Sequence, residues 1–88
     1  MIKVRLYVKD NDGDDEMRET FMPAIPRVGD IIWCFELFQD VWIDGFEELT
    51  PHVVKSIDWS IGSENLWYIS VMLDRLTDEQ YNKMIDEA

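Results

Sequence analysis

The sequence predicts a mainly β, α+β fold in a single domain, residues 1–88. The expected architecture is a small antiparallel barrel or a strongly bent sheet of about five strands, with one C-terminal helix. Three observations carry this expectation. Apolar and polar residues alternate in several short runs, the period of a strand with one dry face and one wet face. Turn-forming residues punctuate those runs. Only the stretch from Thr77 onward carries a helix start signal.

Ile2, Val4, Leu6 and Val8 alternate with Lys3, Arg5, Tyr7 and Lys9, which makes a half-buried first strand with bases on its wet face. The acidic loop Asp10–Glu16 follows, with Gly13 at its middle where a positive φ is accessible. "MRETFM" returns as a second strand, giving a hairpin whose acidic tip Lys9, Arg18 and the other bases partly neutralise.

Pro23 and Pro26 end that strand, because neither can donate to an interior ladder. Gly29 fits the third position of a type II turn over Arg27–Asp30. That turn redirects the chain so that Ile31, Trp33, Phe35 and Leu37 enter the core as a strand. Ile32 and Cys34 between them are also apolar, so this strand reads as covered on both faces.

Residues 36–52 fit neither period. A short helix through Phe38–Trp42 and a hairpin turning at Asp44–Gly45 are both compatible with the pattern, and a hairpin or long loop is preferred. Val53, Ile57, Trp59 and Ile61 then face one way, with Lys55 as the exception. "GSEN" turns the chain, and Trp67, Ile69, Val71 and Leu73 share one face of the last strand. Thr77 and Gln80 form a capping box, and Asp78 and Glu79 favour the positive end of the helix dipole. Leu76, Tyr81, Met84 and Ile85 are expected to dock this helix on the sheet.

An apolar fraction of 47% argues against disorder. The net charge of −11 is the unusual quantity. Five acids lie in Asp10–Glu16, and six more lie between Arg27 and Lys55, where no lysine or arginine occurs. Such a field repels nucleic acid and anionic membranes and attracts basic protein surfaces. Solubility is the plainer explanation of the same charge. Cys34 is the only cysteine, so no intrachain disulfide forms, and its apolar setting marks it as a small buried hydrophobe. No apolar run approaches the roughly 18 residues of a membrane span, and "MIKVRLYVKD" lacks a signal-peptide core. A soluble, cytoplasmic protein is expected.

No catalytic, cofactor or metal signature emerges. In "DNDGDDE" Asp10 lies only three residues before Gly13, which breaks the EF-hand spacing and leaves a solvated hairpin tip. His52, the only histidine, has no spacing partner for a transition metal and reads as a strand-edge structural residue. Cys34 lies among large hydrophobes, which disfavour the thiolate a nucleophile needs. The four glycines stand alone, so no phosphate-cradling loop is visible. A non-enzyme without cofactor is expected.

A partner-binding surface is the remaining candidate. Phe38, Trp42 and Phe46 are interleaved with Glu36, Asp40, Asp44, Glu47 and Glu48. Aromatic anchors in an acidic rim suit a binder of a basic, partly apolar surface. Asp10, Asp12, Asp14, Asp15 and Glu16 at the hairpin tip join this candidate surface. The alternative is that the aromatics are core and the acids are their wet neighbours. Trp33, Trp59 and Trp67, on regular strands, are expected in the core.

"IPRVGDIIW", "VVKSIDWSI" and "LWYISVMLD", with a turn between the last two, resemble the strand grammar of small SH3-like barrel proteins of bacteriophages and mobile elements. The resemblance covers roughly Phe21–Leu76 and rests on turn and strand signals; the acidic, aromatic segment 36–52 departs from it. It implies a phage or mobile-element origin, the host cytoplasm, and a protein that binds and blocks a host protein, as acidic anti-restriction and anti-CRISPR inhibitors do. The expected function is therefore that of a nucleic-acid mimic on a basic surface of a nuclease or other nucleic-acid-handling protein, without direct nucleic-acid or membrane contact. The alternative is an accessory or structural barrel module, which could be a homodimer, whose acidity serves only solubility.

Overall fold

A computed structural model describes residues 1–40, 50–61 and 67–87. Its elements, in chain order, are β1 (Ile2–Lys9), β2 (Asp15–Met22), β3 (Ile31–Ile32), α1 (Phe35–Phe38), β4 (His52–Ile61), β5 (Trp67–Arg75) and α2 (Asp78–Glu87). The strands form one mixed sheet in the order β2-β1-β5-β4-β3, curled into a half-barrel. The fold is mainly β with a short C-terminal helix, as the alternation predicts. Three neighbouring pairs are antiparallel, whereas β1 and β5 run parallel, with Leu6 opposite Val71. A parallel pair needs a long crossover, and everything between the two strands serves as one.

The core lies on one face of the sheet. Val4, Leu6 and Val8 of β1 and Ile69, Val71 and Leu73 of β5 are buried there, as their period of two requires. β4 departs from simple alternation. A register shift between Val54 and Ser56 leaves Lys55 bulged out, so Val54 faces Leu73 and Ile57 faces Val71 on the core side. The bulge explains why Lys55 interrupts the pattern and corrects the face expected for Val53. Farther along the hairpin Trp59 is 51% exposed and Ile61 76%, so β4 and β5 run past the core. Trp59 is thus not the core tryptophan that its strand position suggests.

Both turns follow from their residues. Gly13 has φ 85° and Gly29 has φ 95°, the left-handed region that a side chain disfavours. Over Arg27–Asp30 the amide of Asp30 donates to the Arg27 carbonyl at 2.9 Å, closing the expected turn. The Asp30 carboxylate accepts the Arg27 amide at 2.8 Å. Val54 then ties this turn to β4, donating to the Asp30 carbonyl and accepting from Gly29, both at 2.9 Å.

The largest correction concerns Ile31–Leu37. The strand stops at Ile32, and one helical turn, Phe35–Phe38, follows. Cys34 and Phe38 are four residues apart, the spacing of a single helix face, and both are buried. The run is apolar at every register, so period two and period four compete. Phe38, at 0% exposure, fills the hollow of the curled sheet, and that burial decides the outcome. Trp33 is displaced to the surface at 49% exposure, not into the core, and packs edge-on against Tyr81 with ring centroids 5.4 Å apart. Of the segment 36–52, α1 ends at Phe38, where the short helix weighed through Phe38–Trp42 would begin, and the alternative hairpin at Asp44–Gly45 lies outside the described residues.

α2 starts as its capping box dictates: the Gln80 amide donates to Thr77 Oγ1 at 3.2 Å, and the Thr77 amide donates to Gln80 Oε1 at 3.0 Å. The Leu76 amide donates to the Pro51 carbonyl at 3.0 Å, fixing where the helix leaves the sheet. Tyr81 docks on Trp33, but Met84 and Ile85 remain exposed, contrary to the expected docking. No helix among the described residues is long and apolar enough to cross a membrane.

Phe38→Ala is expected to cost about 3–5 kcal/mol, the usual range for emptying a buried phenylalanine site. That is a large share of the roughly 5–15 kcal/mol stability of a small domain. Trp33→Ala should cost much less, because half of that ring already faces water. Urea melts of the two variants check the order; a larger loss at Trp33 would contradict the assignment of Phe38 as the plug of the half-barrel.

Candidate functional site

The acidic hairpin tip is built inward from Asp10. Its Oδ1 accepts the amides of Asp12 and Asp14, both at 2.9 Å, while Gly13 turns the chain. The Asp10 carboxylate is therefore spent on backbone donors, a local bond typical of aspartate in turns. Asp12 and Asp14 point to solvent. Asp15 is paired with Lys9 at 3.1 Å across the first step of the ladder.

Arg18 links this tip to the segment after α1. Its guanidinium lies 2.7 Å from the Asp40 carboxylate and 3.8 Å from that of Glu16, and donates to the Met17 carbonyl at 2.8 Å. The same group lies over the Phe38 ring, 5.5 Å from its centre. Glu16 and Asp40, 24 residues apart in sequence, are thus brought to one cation. The Arg18 hydrogen bond holds the Asp40 carboxyl below the usual aspartate range.

The wet face of β1 follows the same rule. Lys3 and Arg5 both pair with Glu19, at 3.0 and 3.1 Å, and Arg5 also covers the Tyr68 ring at 3.7 Å. Glu19 is held below its ordinary value, chiefly by the Lys3 hydrogen bond. Every base of the first hairpin is therefore committed to a carboxylate of this chain.

The candidate surface divides as follows. Asp12, Asp14 and Glu36 are exposed, and Asp40, Asp15 and Glu16 are surface carboxylates held by Arg18 or Lys9. Phe38 is removed from the partner-facing set, because it is buried. Trp42, Asp44, Phe46, Glu47 and Glu48 lie outside the described residues.

Sequence reasoning missed a cleft of about 350 Å³ lined by Lys9, Asp10, Asn11, His52, Leu73, Asp74 and Arg75. It lies where the parallel strands β1 and β5 end side by side, with His52 opposite Arg75 on β4. Three chain segments meet there, so no local motif could have signalled it. Much of its polar lining is already engaged, since Lys9 holds Asp15 and Asp10 caps the turn. His52 is buried, and burial lowers its pKa by penalising the imidazolium. The Thr50 backbone opposes that shift, Arg75 adds to it and Asp74 opposes it.

Burial pushes the Cys34 thiol up to about 11, which leaves it protonated and inert at neutral pH. Among the described residues no three His, Cys, Asp or Glu side chains converge as a metal site would require. Comparison of the chain with family models, with curated proteins and with solved structures returned no match.

Two outcomes follow for solution measurements. Because the folded pKa of His52 lies below the ordinary imidazole value of about 6.5, the unfolded chain binds the proton more readily. Stability should be full above that value and fall as pH drops through it. His52→Gln should flatten this part of the profile in thermal melts. A second decline, below the ordinary carboxylate range, should persist in the variant as Asp40 and Glu19 protonate. A variant profile that still parallels the parent between neutral pH and pH ~5 would contradict the role given to His52. Cys34 should resist a thiol reagent in the native protein and react fully in denaturant; prompt native labelling would contradict its burial.

Proposed function

We propose that this protein is a non-enzymatic binder of basic protein surfaces, using the acidic hairpin tip and the acids around α1 to occupy a nucleic-acid-binding site. One observation carries the reading: the bases of the first hairpin are consumed by ion pairs within the chain, while Asp12, Asp14 and Glu36 stay exposed and uncommitted. The carboxylates left unpaired at the tip and beside α1 are therefore presented outward, in a chain whose net charge is −11. A rigid array of carboxylates imitates a phosphate backbone in charge. Arg18 supports the array by holding Glu16 and Asp40 in place. Residues 41–49 add three carboxylates from sequence alone, Asp44, Glu47 and Glu48.

The likeness of the strand pattern to small barrels of bacteriophages and mobile elements favours a host partner, and a nuclease or other defence protein is the kind that an acidic mimic would block. Steering by exposed carboxylates acts mainly on the association rate and weakens with salt.

The test is affinity capture from host-cell lysate at low and high salt, followed by displacement with duplex DNA. A basic nucleic-acid-binding protein, lost at high salt and displaced by DNA, is the expected result. A clean homodimer with no salt-labile partner would favour the accessory-module reading instead. With the partner in hand, Asp12→Lys/Asp14→Lys should slow association by roughly tenfold and reduce its salt dependence. Its melting temperature should barely move, because both side chains point to solvent.

A further inference from the structure

The apolar face of α2 is only partly used by the fold. Tyr81 meets Trp33 edge-on, with an interplanar angle of 87°. Met84 and Ile85, three and four residues on, lie along the same helix face. They are 40% and 53% exposed, and Trp33 at the docked end is 49% exposed. A ten-residue helix is marginal in water by itself and depends on burying such a face. Here the capping box and the Tyr81 contact anchor the first turn, while the second presents its apolar residues to solvent.

Charge identifies what would cover this stripe. α2 carries four acids, Asp78, Glu79, Asp86 and Glu87, against Lys83 as its sole base, and at about 100° per residue Glu79 and Asp86 project from the side opposite Tyr81. Glu36, three residues beyond Trp33, is exposed as well. The setting is an apolar strip on an acidic helix in a chain of net charge −11. An anionic membrane is repelled by that field, and a second copy would bring a like charge of the same size against it. A segment with apolar side chains on one face and lysine or arginine elsewhere satisfies both the strip and the negative field around it.

We infer that Trp33, Tyr81, Met84 and Ile85 form the docking site for a cationic amphipathic segment of a partner protein. The inference rests on the reading of the protein as a binder of basic partners, and it moves the apolar anchor from residues 36–48 to the face between Trp33 and α2. The carboxylates bring the partner in, and the desolvated strip retains it.

The probe is a synthetic lysine–leucine peptide of helical periodicity, with a glutamate–leucine peptide of the same apolar pattern as control. Binding is read by calorimetry, and by NMR shifts of the Trp33 indole and the α2 amides. The lysine–leucine peptide should bind and shift those signals, and the control peptide should not. Met84→Gln/Ile85→Gln keeps the charge and should weaken binding roughly tenfold or more, with an unchanged melting temperature. Ile85→Gln alone should give a smaller loss in the same direction. Equal affinity of parent and double variant would overturn the inference, as would equal binding of the control peptide. A concentration-dependent dimer abolished by the double variant would also overturn it, by assigning the strip to a second copy. If a basic lysate partner binds parent and double variant alike but loses Asp12→Lys/Asp14→Lys, the proposed function stands and this docking site falls. If no lysate partner binds at all, that function falls, and the peptide measurement still decides the strip by itself.

Discussion

The pairing of β1 with β5 is the contact on which the rest of this structure depends. Each strand already belongs to a hairpin, β1 with β2 and β5 with β4. A two-stranded hairpin is marginal in water, and neither of these could bury an apolar face unaided. Joining them at Arg5–Tyr7 and Ser70–Met72 makes a single sheet and sets Val4, Leu6 and Val8 beside Ile69, Val71 and Leu73. Only then does a hollow exist for Cys34 and Phe38 to fill. The cleft beside His52 has the same origin, since it opens where these two strands end together.

The charges are arranged around that sheet by a consistent rule. Bases lie next to acids wherever β1 and β2 face each other, which removes the repulsion that an acidic ladder would carry. These pairs are exposed, so each adds little stability. Their effect is on where charge remains: the positive groups are occupied at home, and the negative field is left at the hairpin tip and near α1. Arg18 does more than balance charge, because its guanidinium also lies over Phe38 and so connects the acidic rim to the core.

Much of this was legible in the sequence. β1 alternates cleanly and its faces come out as the pattern requires, as do Ile69, Val71 and Leu73 of β5, while the side chain of Trp67 lies outside the described ones. The turns at Gly13 and Gly29 and the Thr77 capping box are set by local chemistry, so they too could be read directly. What could not be read depended on contacts between distant segments. The bulge at Lys55 is a property of pairing with β5, and nothing in "VVKSI" announces it. The run Ile31–Phe38 is apolar at both periods, and only the hollow made by the other strands selects the helical turn. The parallel direction of β1 against β5 is likewise a matter of topology. For the candidate surface, the acids were visible in the composition, whereas the exposure of Trp33 and the burial of Phe38 followed from that same helical turn. The cleft was hidden because its lining comes from three places in the chain.

The position of β5 in the sheet also constrains how the protein is made. During synthesis β1 and β2 leave the ribosome well before β5 and can pair at once, yet β5 is the neighbour that covers the inner edge of β1. Until residues 67–75 emerge, Val4, Leu6 and Val8 lack the neighbouring strand whose apolar residues complete their face of the sheet. The nascent chain therefore carries an open strand edge until β5 is made, a state prone to wrong pairing. The bases and acids along β1 and β2 guard that edge during the wait, since charged side chains discourage a stray strand from adding to it. Closing so long a loop is entropically slow, so the fold should be completed as a single late event and not assembled piece by piece.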